Sequence, residues 1–167
     1  MSVSEHRALS PASVACFVLT VSDTRTLATE TSGRAIADLL TTAGHTVVNR
    51  QVVKDEPVEV RRVIRDELAR GRARAIITTG GTGIARRDTT YEAITSLFEK
   101  RLDGFGELFR MLSFEDIGSA AMLSRATAGV ASGCVIFMLP GSEAAVRLGM
   151  SRLILPELGH LVRELTK

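Results

Sequence analysis

Residues 76–83 have the sequence IITTGGTG, and residues 84–88 continue it as IARRD. An apolar run therefore leads straight into three glycines, which are followed by two arginines and a carboxylate. Glycine allows positive φ angles and close approach of the backbone to a ligand, and N–H groups that enter a helix favour anions such as phosphate. The stretch predicts a buried strand that ends in a phosphate-handling loop with Asp88 beside it. The alternative is a tight strand-to-helix turn that needs glycine only for its geometry.

The loop does not fit the two best-known phosphate motifs. The dinucleotide fingerprint Gly-x-Gly-x-x-Gly would require a third glycine where the chain has Arg86. A P-loop would require Gly-Lys-Ser or Gly-Lys-Thr, and no such triplet follows these glycines. The loop alone therefore predicts an anion near a strand end without naming the ligand.

Strand and helix patterns alternate on both sides of this loop. Patterns that suit strands, either apolar runs or alternating residues, occur at 14–21, 46–53, 73–79, 125–131 and 134–139. Helical spacing occurs at 33–43, 57–70, 89–99, 104–112, 117–123 and 143–165. The near-continuous apolar character of the first strand is typical of a parallel sheet buried on both faces. The alternation predicts an α/β layer fold with a mostly parallel sheet.

Local signals refine two of these helices. Thr89 and Glu92 have the spacing of a capping box, which predicts a helix that runs to about Glu99. Pro156 lies inside the last helical pattern, where its missing N–H predicts a kink or a break.

Length and composition predict one domain. A chain of 167 residues can bury a full hydrophobic core. We expect residues 1–12, which are polar and contain a proline, to form a flexible N-terminal arm, and residues 13–167 to form the single domain. Cys16 and Cys134 lie inside apolar runs, which predicts buried thiols rather than a disulfide framework.

Charge and hydropathy exclude two classes of partner. The chain has 21 basic and 19 acidic residues, so its net charge of +2 gives no general nucleic-acid signal. No apolar stretch is long enough to span a bilayer, and the first residues lack the core of a signal peptide. We therefore expect a cytoplasmic protein that binds neither nucleic acid nor a membrane.

Four polar clusters follow predicted strands. They lie at 22–23, 54–56, 80–88 and 140–142. In open parallel sheets, ligands bind beyond the carboxyl ends of the strands. The sequence therefore predicts a ligand site where these clusters meet, although loops at strand ends need polar and turn-forming residues in any case.

Each cluster keeps a structural alternative. Asp88 has the chemistry to hold Mg²⁺ together with phosphate oxygens, or to act as an acid at a helix N-terminus paired with a neighbouring arginine. Asp55 could share a cation with Asp88. Ser142 could cap a helix or present its N–H and hydroxyl to an anion, and residues 22–23 could bind a ligand or form a turn.

Taken together, these residues make the chain resemble the molybdenum-cofactor biosynthesis family that includes MoaB and MogA. Residues 79–88, TGGTGIARRD, resemble the family's signature loop. Residues 104–107 and 124–130, GFGE and SRATAGV, are similar to the MoaB branch, and residues 139–142, LPGS, resemble the loop before the last helix. The resemblance covers 14–165, nearly the whole chain.

The resemblance implies a fold and a reaction. The fold is an α/β three-layer sandwich with a mostly parallel central sheet, like that of molybdopterin-binding domains. The reaction is adenylylation of the molybdopterin phosphate by ATP with Mg²⁺, which activates the pterin for metal insertion. The implied partners are further copies of the chain, as a trimer or hexamer, and a separate metal-insertion protein.

The resemblance also implies a set of functional residues. Asp55 and Asp88 correspond to the family's two functional aspartates, with Mg²⁺ assigned to Asp88. The ligand-facing positions implied are Ser22, Asp23, Thr79, Gly80, Gly81, Thr82, Gly83, Pro140, Gly141 and Ser142.

Two other functions remain open from the sequence. The chain has DTTY at residues 88–91, where family members often have Asp-Val-Thr-Pro. A pterin carrier or scaffold without catalysis is therefore the first alternative, although the presence of both aspartates favours an enzyme. The second alternative is a nucleotide hydrolase of the kind found in competence-damage-type proteins.

Overall fold

The computed structural model describes residues 2–167, except for the side chain of residue 6. The strands are β1 Ala15–Val21, β2 Thr46–Val53, β3 Ala75–Thr79, β4 Lys100–Arg101, β5 Thr127–Ala131 and β6 Cys134–Leu139. The α-helices are α1 Val3–Ala8, α2 Ser32–Thr42, α3 Pro57–Arg70, α4 Thr90–Thr95, α5 Asp103–Ile117, α6 Glu143–Gly149 and α7 Leu155–Leu165. A 3-10 helix spans Gly118–Leu123, and a π-helical turn spans Met150–Ile154.

The strands form one sheet in the order β2-β1-β3-β6-β5-β4. The four strands β2, β1, β3 and β6 are mutually parallel. Strand β5 is antiparallel to both β6 and β4. The predicted α/β fold with a mostly parallel sheet is confirmed, and β4 is a short addition that the sequence did not predict.

Side-chain alternation along the central strands builds a core on each face of the sheet. On β1, Cys16 and Val18 face a core completed by α2, α5, α6 and α7. The alternate residues Phe17 and Leu19 face a second core completed by α3 and α4. Successive side chains of a strand point to opposite faces, so an all-apolar strand requires a helical layer on both sides. The chain is a three-layer α/β sandwich.

Both cysteines are buried thiols, as the sequence predicts. Burial raises the pKa of Cys16 and of Cys134 to about 12. Because the thiolate is the reactive form, neither thiol is a nucleophile at neutral pH. Both belong to the core rather than to a site.

Two features near the chain ends bear on the sequence expectations. The segment expected to be a flexible arm contains α1, which has a capping box formed by Ser2 and Glu5 and reaches α7 through an ion pair between Arg7 and Glu157. The last helical pattern is interrupted near Pro156, as predicted, by the π-helical turn Met150–Ile154. Proline removes a backbone donor, and a π turn is one way a helix absorbs that loss.

Among residues 2–167, no helix combines the length and the apolar character needed to cross a membrane.

Candidate functional site

The glycine loop begins where β3 ends. Gly80 and Gly81 have φ angles of +98° and +69°, in the region that disfavours side chains. A Cβ atom on Gly80 would lie 2.2 Å from the carbonyl oxygen of Val21, at the end of the neighbouring strand β1. The geometric requirement for glycine that the sequence left open is therefore real at Gly80, where the loop crosses the end of β1.

The same loop lies against both predicted aspartates. A Cβ on Gly81 would lie 2.7 Å from Asp55 Oδ2, and a Cβ on Gly83 would lie 2.6 Å from Asp88 Oδ2. The two carboxylates come from different strand ends, yet they contact neighbouring glycines of one loop. The structure thus brings Asp55, Asp88 and the glycine loop together.

Asp55 is an anchored carboxylate. It is 6% exposed, and its Oδ1 accepts hydrogen bonds from the Thr89 hydroxyl at 2.7 Å, the Thr90 hydroxyl at 3.3 Å and the Thr89 N–H at 3.3 Å. These bonds join the loop after β2 to the start of α4. The predicted capping box is wrong, because the Thr89 hydroxyl donates to Asp55 and Glu92 forms an ion pair with Arg125.

Asp88 is half-buried and has one oxygen free of protein donors. Its Oδ2 accepts the N–H of Ala85 at 2.9 Å, whereas no described residue donates a hydrogen bond to Oδ1. It lies two residues before α4 begins. Neither neighbouring arginine forms an ion pair with it, since Arg87 turns to other partners. The pairing with a neighbouring arginine is therefore absent, although Asp88 does lie directly before Thr89, the N-cap residue of α4.

Arg87 connects three strand-end loops. Its Nη2 lies 3.0 Å from Asp23 after β1 and 3.1 Å from Glu56 after β2. The backbone N–H of Asp55 also donates to Asp23 Oδ1 at 3.1 Å. The hydrogen bonds from Arg87, followed by that N–H, hold the pKa of Asp23 below its ordinary value. The same bonds, chiefly to Asp23, raise the pKa of Arg87, so Asp23 and Arg87 stay ionised at neutral pH.

Two serines predicted as ligand-facing also have the structural roles that the sequence left open. The Ser22 hydroxyl oxygen accepts the N–H groups of Thr24 and Arg25 and closes a turn. The Ser142 hydroxyl oxygen accepts the N–H of Ala145 and caps α6. Their contact with a ligand stays a prediction.

The loop after β6 packs directly on the glycine loop. A Cβ on Gly141 would lie 3.5 Å from the Cα of Gly80. The Gly80 N–H donates to the Leu139 carbonyl at 3.1 Å, and the Thr79 hydroxyl donates to the Pro140 carbonyl at 2.8 Å. All four strand-end clusters are therefore contiguous at the carboxyl edge of the sheet.

Several backbone N–H groups of the glycine loop are available to bind an anion. Among the hydrogen bonds of residues 2–167, none is donated by the backbone N–H of Gly81, Thr82 or Gly83. Successive N–H groups in a turn form an anion-binding concavity. Helix α4 begins at Thr90, next to the predicted start at Thr89, but it has six residues and ends at Thr95 rather than at about Glu99. Any anion would meet the loop itself rather than a helix terminus.

Open cavities adjoin the residues that precede and follow the glycines in the chain. One of about 500 Å³ adjoins Asp88 and is lined by Pro57, Arg61, Ile84, Ala85, Arg86, Asp88, Thr89, Glu92, Ala93 and Arg125. A second of about 220 Å³ adjoins Gly141 and is lined by Thr20, Val21, Ser22, Thr24, Arg25, Glu30, Thr31, Ser32, Thr79 and Gly141. A third of about 620 Å³ continues from the second, since Ser22, Thr24 and Arg25 line both.

Sequence reasoning missed two charged residues at this edge. Glu30 is buried beside the smaller cavity, where it accepts the Gly33 N–H at 2.6 Å and pairs with Arg50. Arg125, read from the sequence as the start of a strand, instead reaches back to the glycine loop. The sequence feature that could have identified Arg125 is its position as an arginine next to an otherwise apolar strand. No feature of the residues around Glu30 in the sequence could have identified it.

No group of three or more His, Cys, Asp or Glu side chains within the described residues could hold a metal ion.

Comparisons with known proteins give a consistent result. Residues 17–160 match the family described as a probable molybdopterin binding domain. Molybdenum cofactor biosynthesis protein B of Halalkalibacterium halodurans is 52% identical over 168 residues, which cover 100% of this chain and 99% of that protein. The protein of the same name from Bacillus subtilis is also 52% identical over 168 residues, with the same coverage.

A solved structure shares the fold. The tungsten cofactor synthesizing protein MoaB from Pyrococcus furiosus superposes with a TM-score of 0.84 at 38% identity. The match covers 95% of this chain and 100% of that one.

Proposed function

The chain belongs to the family of probable molybdopterin-binding domains and takes part in molybdenum cofactor biosynthesis; from this premise, we propose that it adenylylates molybdopterin. An oxygen of the pterin phosphate attacks the α-phosphorus of ATP and forms a new P–O–P linkage. The bond between the α- and β-phosphates breaks, and pyrophosphate leaves with the bonding electron pair. Such transfers depend mainly on positioning and on neutralisation of charge.

The observation that carries the proposal is the unsatisfied polar surface of the glycine loop. Its N–H groups at Gly81, Thr82 and Gly83 have no acceptor among the described residues, and the free Oδ1 of Asp88 lies at the same loop. Donors for phosphate oxygens and a carboxylate for a cation are the two components that a phosphate-transfer site needs.

The cavities support a reaction with two substrates. Ile84 and Asp88 line the cavity of about 500 Å³, and Thr79 and Gly141 line the cavity of about 220 Å³. A transfer between two phosphate-bearing molecules requires both phosphates to meet at one place. Thr79 precedes the glycines in the chain and Ile84 follows them, so each cavity adjoins one end of the glycine loop, and we place the meeting point of the two phosphates at this loop.

The donor set near Asp88 fits Mg²⁺. This ion usually keeps several waters and binds through one or two carboxylates plus substrate phosphates. Asp88 offers one such carboxylate, whereas the Asp55 oxygens are already engaged by Thr89 and Thr90. When bound, Mg²⁺ would neutralise charge on the triphosphate. We assign its protein ligand to Asp88 and a loop-positioning role to Asp55.

The test is an assay with purified chain, molybdopterin, ATP and Mg²⁺, with adenylylated pterin and pyrophosphate measured by mass spectrometry. We expect both products in equal amounts and none when ATP is replaced by its α,β-methylene analogue, because the scissile bond is then blocked. Saturable pterin binding without product would make the chain a carrier or scaffold. Release of AMP without adenylylated pterin would indicate a nucleotide hydrolase.

We also propose that the chain self-associates. The exposed large apolar side chains concentrate on α5 and the 3-10 helix that follows it: Leu108, Met111, Phe114, Ile117, Met122 and Leu123. Contiguous apolar patches of this kind mark interaction sites on folded proteins. A trimer or hexamer would cover the patch.

Phe114→Glu is expected to reduce the oligomeric state. Phe114 is 61% exposed within the patch, and a buried carboxylate at an interface is costly. Val58→Glu is the matched control, because Val58 is 70% exposed but lies on α3, away from the patch. Size-exclusion chromatography with light scattering should give a trimer or hexamer for the parent and the control and a smaller species for Phe114→Glu. A monomeric parent chain would contradict the proposal.

A further inference from the structure

Arg125 lies just before β5, with its side chain against the glycine loop. Its Nε donates to the Gly83 carbonyl at 2.9 Å, and its Nη2 donates to the Asp88 carbonyl at 2.9 Å. Its own backbone N–H donates to the Thr82 carbonyl at 3.2 Å. One residue therefore holds three carbonyl groups of the segment that carries the free N–H groups and Asp88.

The guanidinium is also fixed from its other side. Its Nη1 forms an ion pair with Glu92 on α4, and its central carbon lies 4.8 Å from the ring centre of Tyr91. Only 28% of the side chain is exposed. The planar fork of arginine supplies several donors in fixed directions, which lysine cannot reproduce.

Holding a carbonyl also sets the direction of the N–H in the same peptide group. In a trans peptide, the C=O and N–H point in opposite directions. The backbone N–H of Arg125 holds the Thr82 carbonyl, so the N–H of Gly83 points away from it. The guanidinium holds the Gly83 carbonyl, so the N–H of Ile84, in the same peptide group, points away from the guanidinium. The peptide that joins Asp88 to Thr89 obeys the same rule, since its C=O meets Arg125 and its N–H meets Asp55. Arg125 and Asp55 thus form hydrogen bonds with the C=O and the N–H of the same peptide group.

We propose that Arg125 is a positioning residue whose guanidinium, through the carbonyls of Gly83 and Asp88, fixes the end of the glycine loop and Asp88 for the transfer. It acts on the carbonyl side of the loop and leaves the N–H side for phosphate oxygens. The kinetic consequence rests on the adenylyl transfer proposed above, whereas the ordering of the loop does not.

The first test compares Arg125→Lys with a matched control, Arg101→Lys. Arg101 also lies over Tyr91, at 5.8 Å, and donates to its hydroxyl, but it has no hydrogen bond to the glycine loop. For Arg125→Lys we expect kcat to fall about 10- to 100-fold, with KM for ATP changed less than about threefold, because misplaced groups lose rate more than affinity. The control should keep both parameters. A parent-like kcat for Arg125→Lys would overturn the proposal.

The second test needs no turnover. The amides of Ala85 and Asp88 form hydrogen bonds within this segment, and the amide of Thr89 donates to Asp55. The hydrogen–deuterium exchange rates of these amides therefore report how often the segment opens locally. We expect their exchange to be faster by about tenfold or more in Arg125→Lys, with the amides of β1 and β3 unchanged. Exchange that is faster by the same factor throughout the chain, or exchange that does not differ from the parent, would overturn the positioning role. A parent chain that forms no product would refute the adenylylation proposal alone, since this measurement would still decide the role of Arg125.

Discussion

Asp88→Asn is expected to lower kcat for adenylylation by about 100- to 1,000-fold in a chain that remains folded. Asparagine keeps the size of the side chain and an oxygen that can accept the Ala85 N–H, which Asp88 Oδ2 accepts at 2.9 Å. It removes the negative charge that we assign to Mg²⁺. The measurement is the initial rate of product formation over a range of Mg²⁺ concentrations. The rate should stay low even at high Mg²⁺ if the charge also orients the nucleotide, and should partly recover if it only binds the ion.

A matched variant separates this effect from a general change of charge. Asp66→Asn also removes one negative charge, but Asp66 lies on the exposed face of α3, where it pairs with Arg62. We expect parent-like rates and Mg²⁺ dependence for Asp66→Asn. Full activity of a folded Asp88→Asn chain would remove Asp88 from the reaction and shift the proposed function toward a pterin carrier.

Gly81→Ala is expected to lower the free energy of unfolding more than the same change at a comparable glycine. Gly81 and Gly71 have similar φ angles, +69° and +64°, so both substitutions carry the left-handed penalty of about 1–2 kcal/mol. At Gly71 nothing lies within 4 Å of the new Cβ, whereas at Gly81 it would lie 1.9 Å from the Thr90 hydroxyl oxygen. Overpacking of this kind costs a further free energy of about 1–3 kcal/mol.

Urea denaturation of the two variants beside the parent measures the difference, and the assay measures its functional consequence. The displaced Thr90 hydroxyl donates to Asp55, so Gly81→Ala should also lower activity, whereas Gly71→Ala should not. Equal losses of stability in the two variants would mean that the loop relaxes at no cost, which contradicts a rigid phosphate-binding loop.

Local patterns were sufficient for most of the fold. The strand pattern at 46–53 coincides with β2, and Gly71 ends α3 in the left-handed conformation that glycine commonly adopts after a helix. These features depend on residues close in sequence, such as alternating side chains and a helix cap. The two-residue strand β4 was missed because nothing within two residues distinguishes a strand from a loop, and only its pairing with β5 defines it.

The capping box at Thr89 shows why local patterns failed at the site. The spacing from Thr89 to Glu92 is correct for reciprocal capping, yet the Thr89 hydroxyl donates to Asp55, 34 residues away. Leaving a buried carboxylate without hydrogen-bond donors costs more free energy than leaving an exposed helix end without a side-chain cap. The distant partner therefore determines the role of Thr89.

The alternation of strands and helices, the glycine loop at a strand end and the family resemblance were predictable from the sequence, because each depends on residues that are neighbours in the chain. Which charged groups have partners and which are available could be seen only in the folded structure. Arg87 binds Asp23 across 64 residues, and Arg125 holds the Gly83 carbonyl across 42. The physical reason is that a hydrogen bond depends on distance and direction in space. Asp55 and Asp88 look equivalent in the sequence, but hydrogen-bond donors surround Asp55 and leave Oδ1 of Asp88 open.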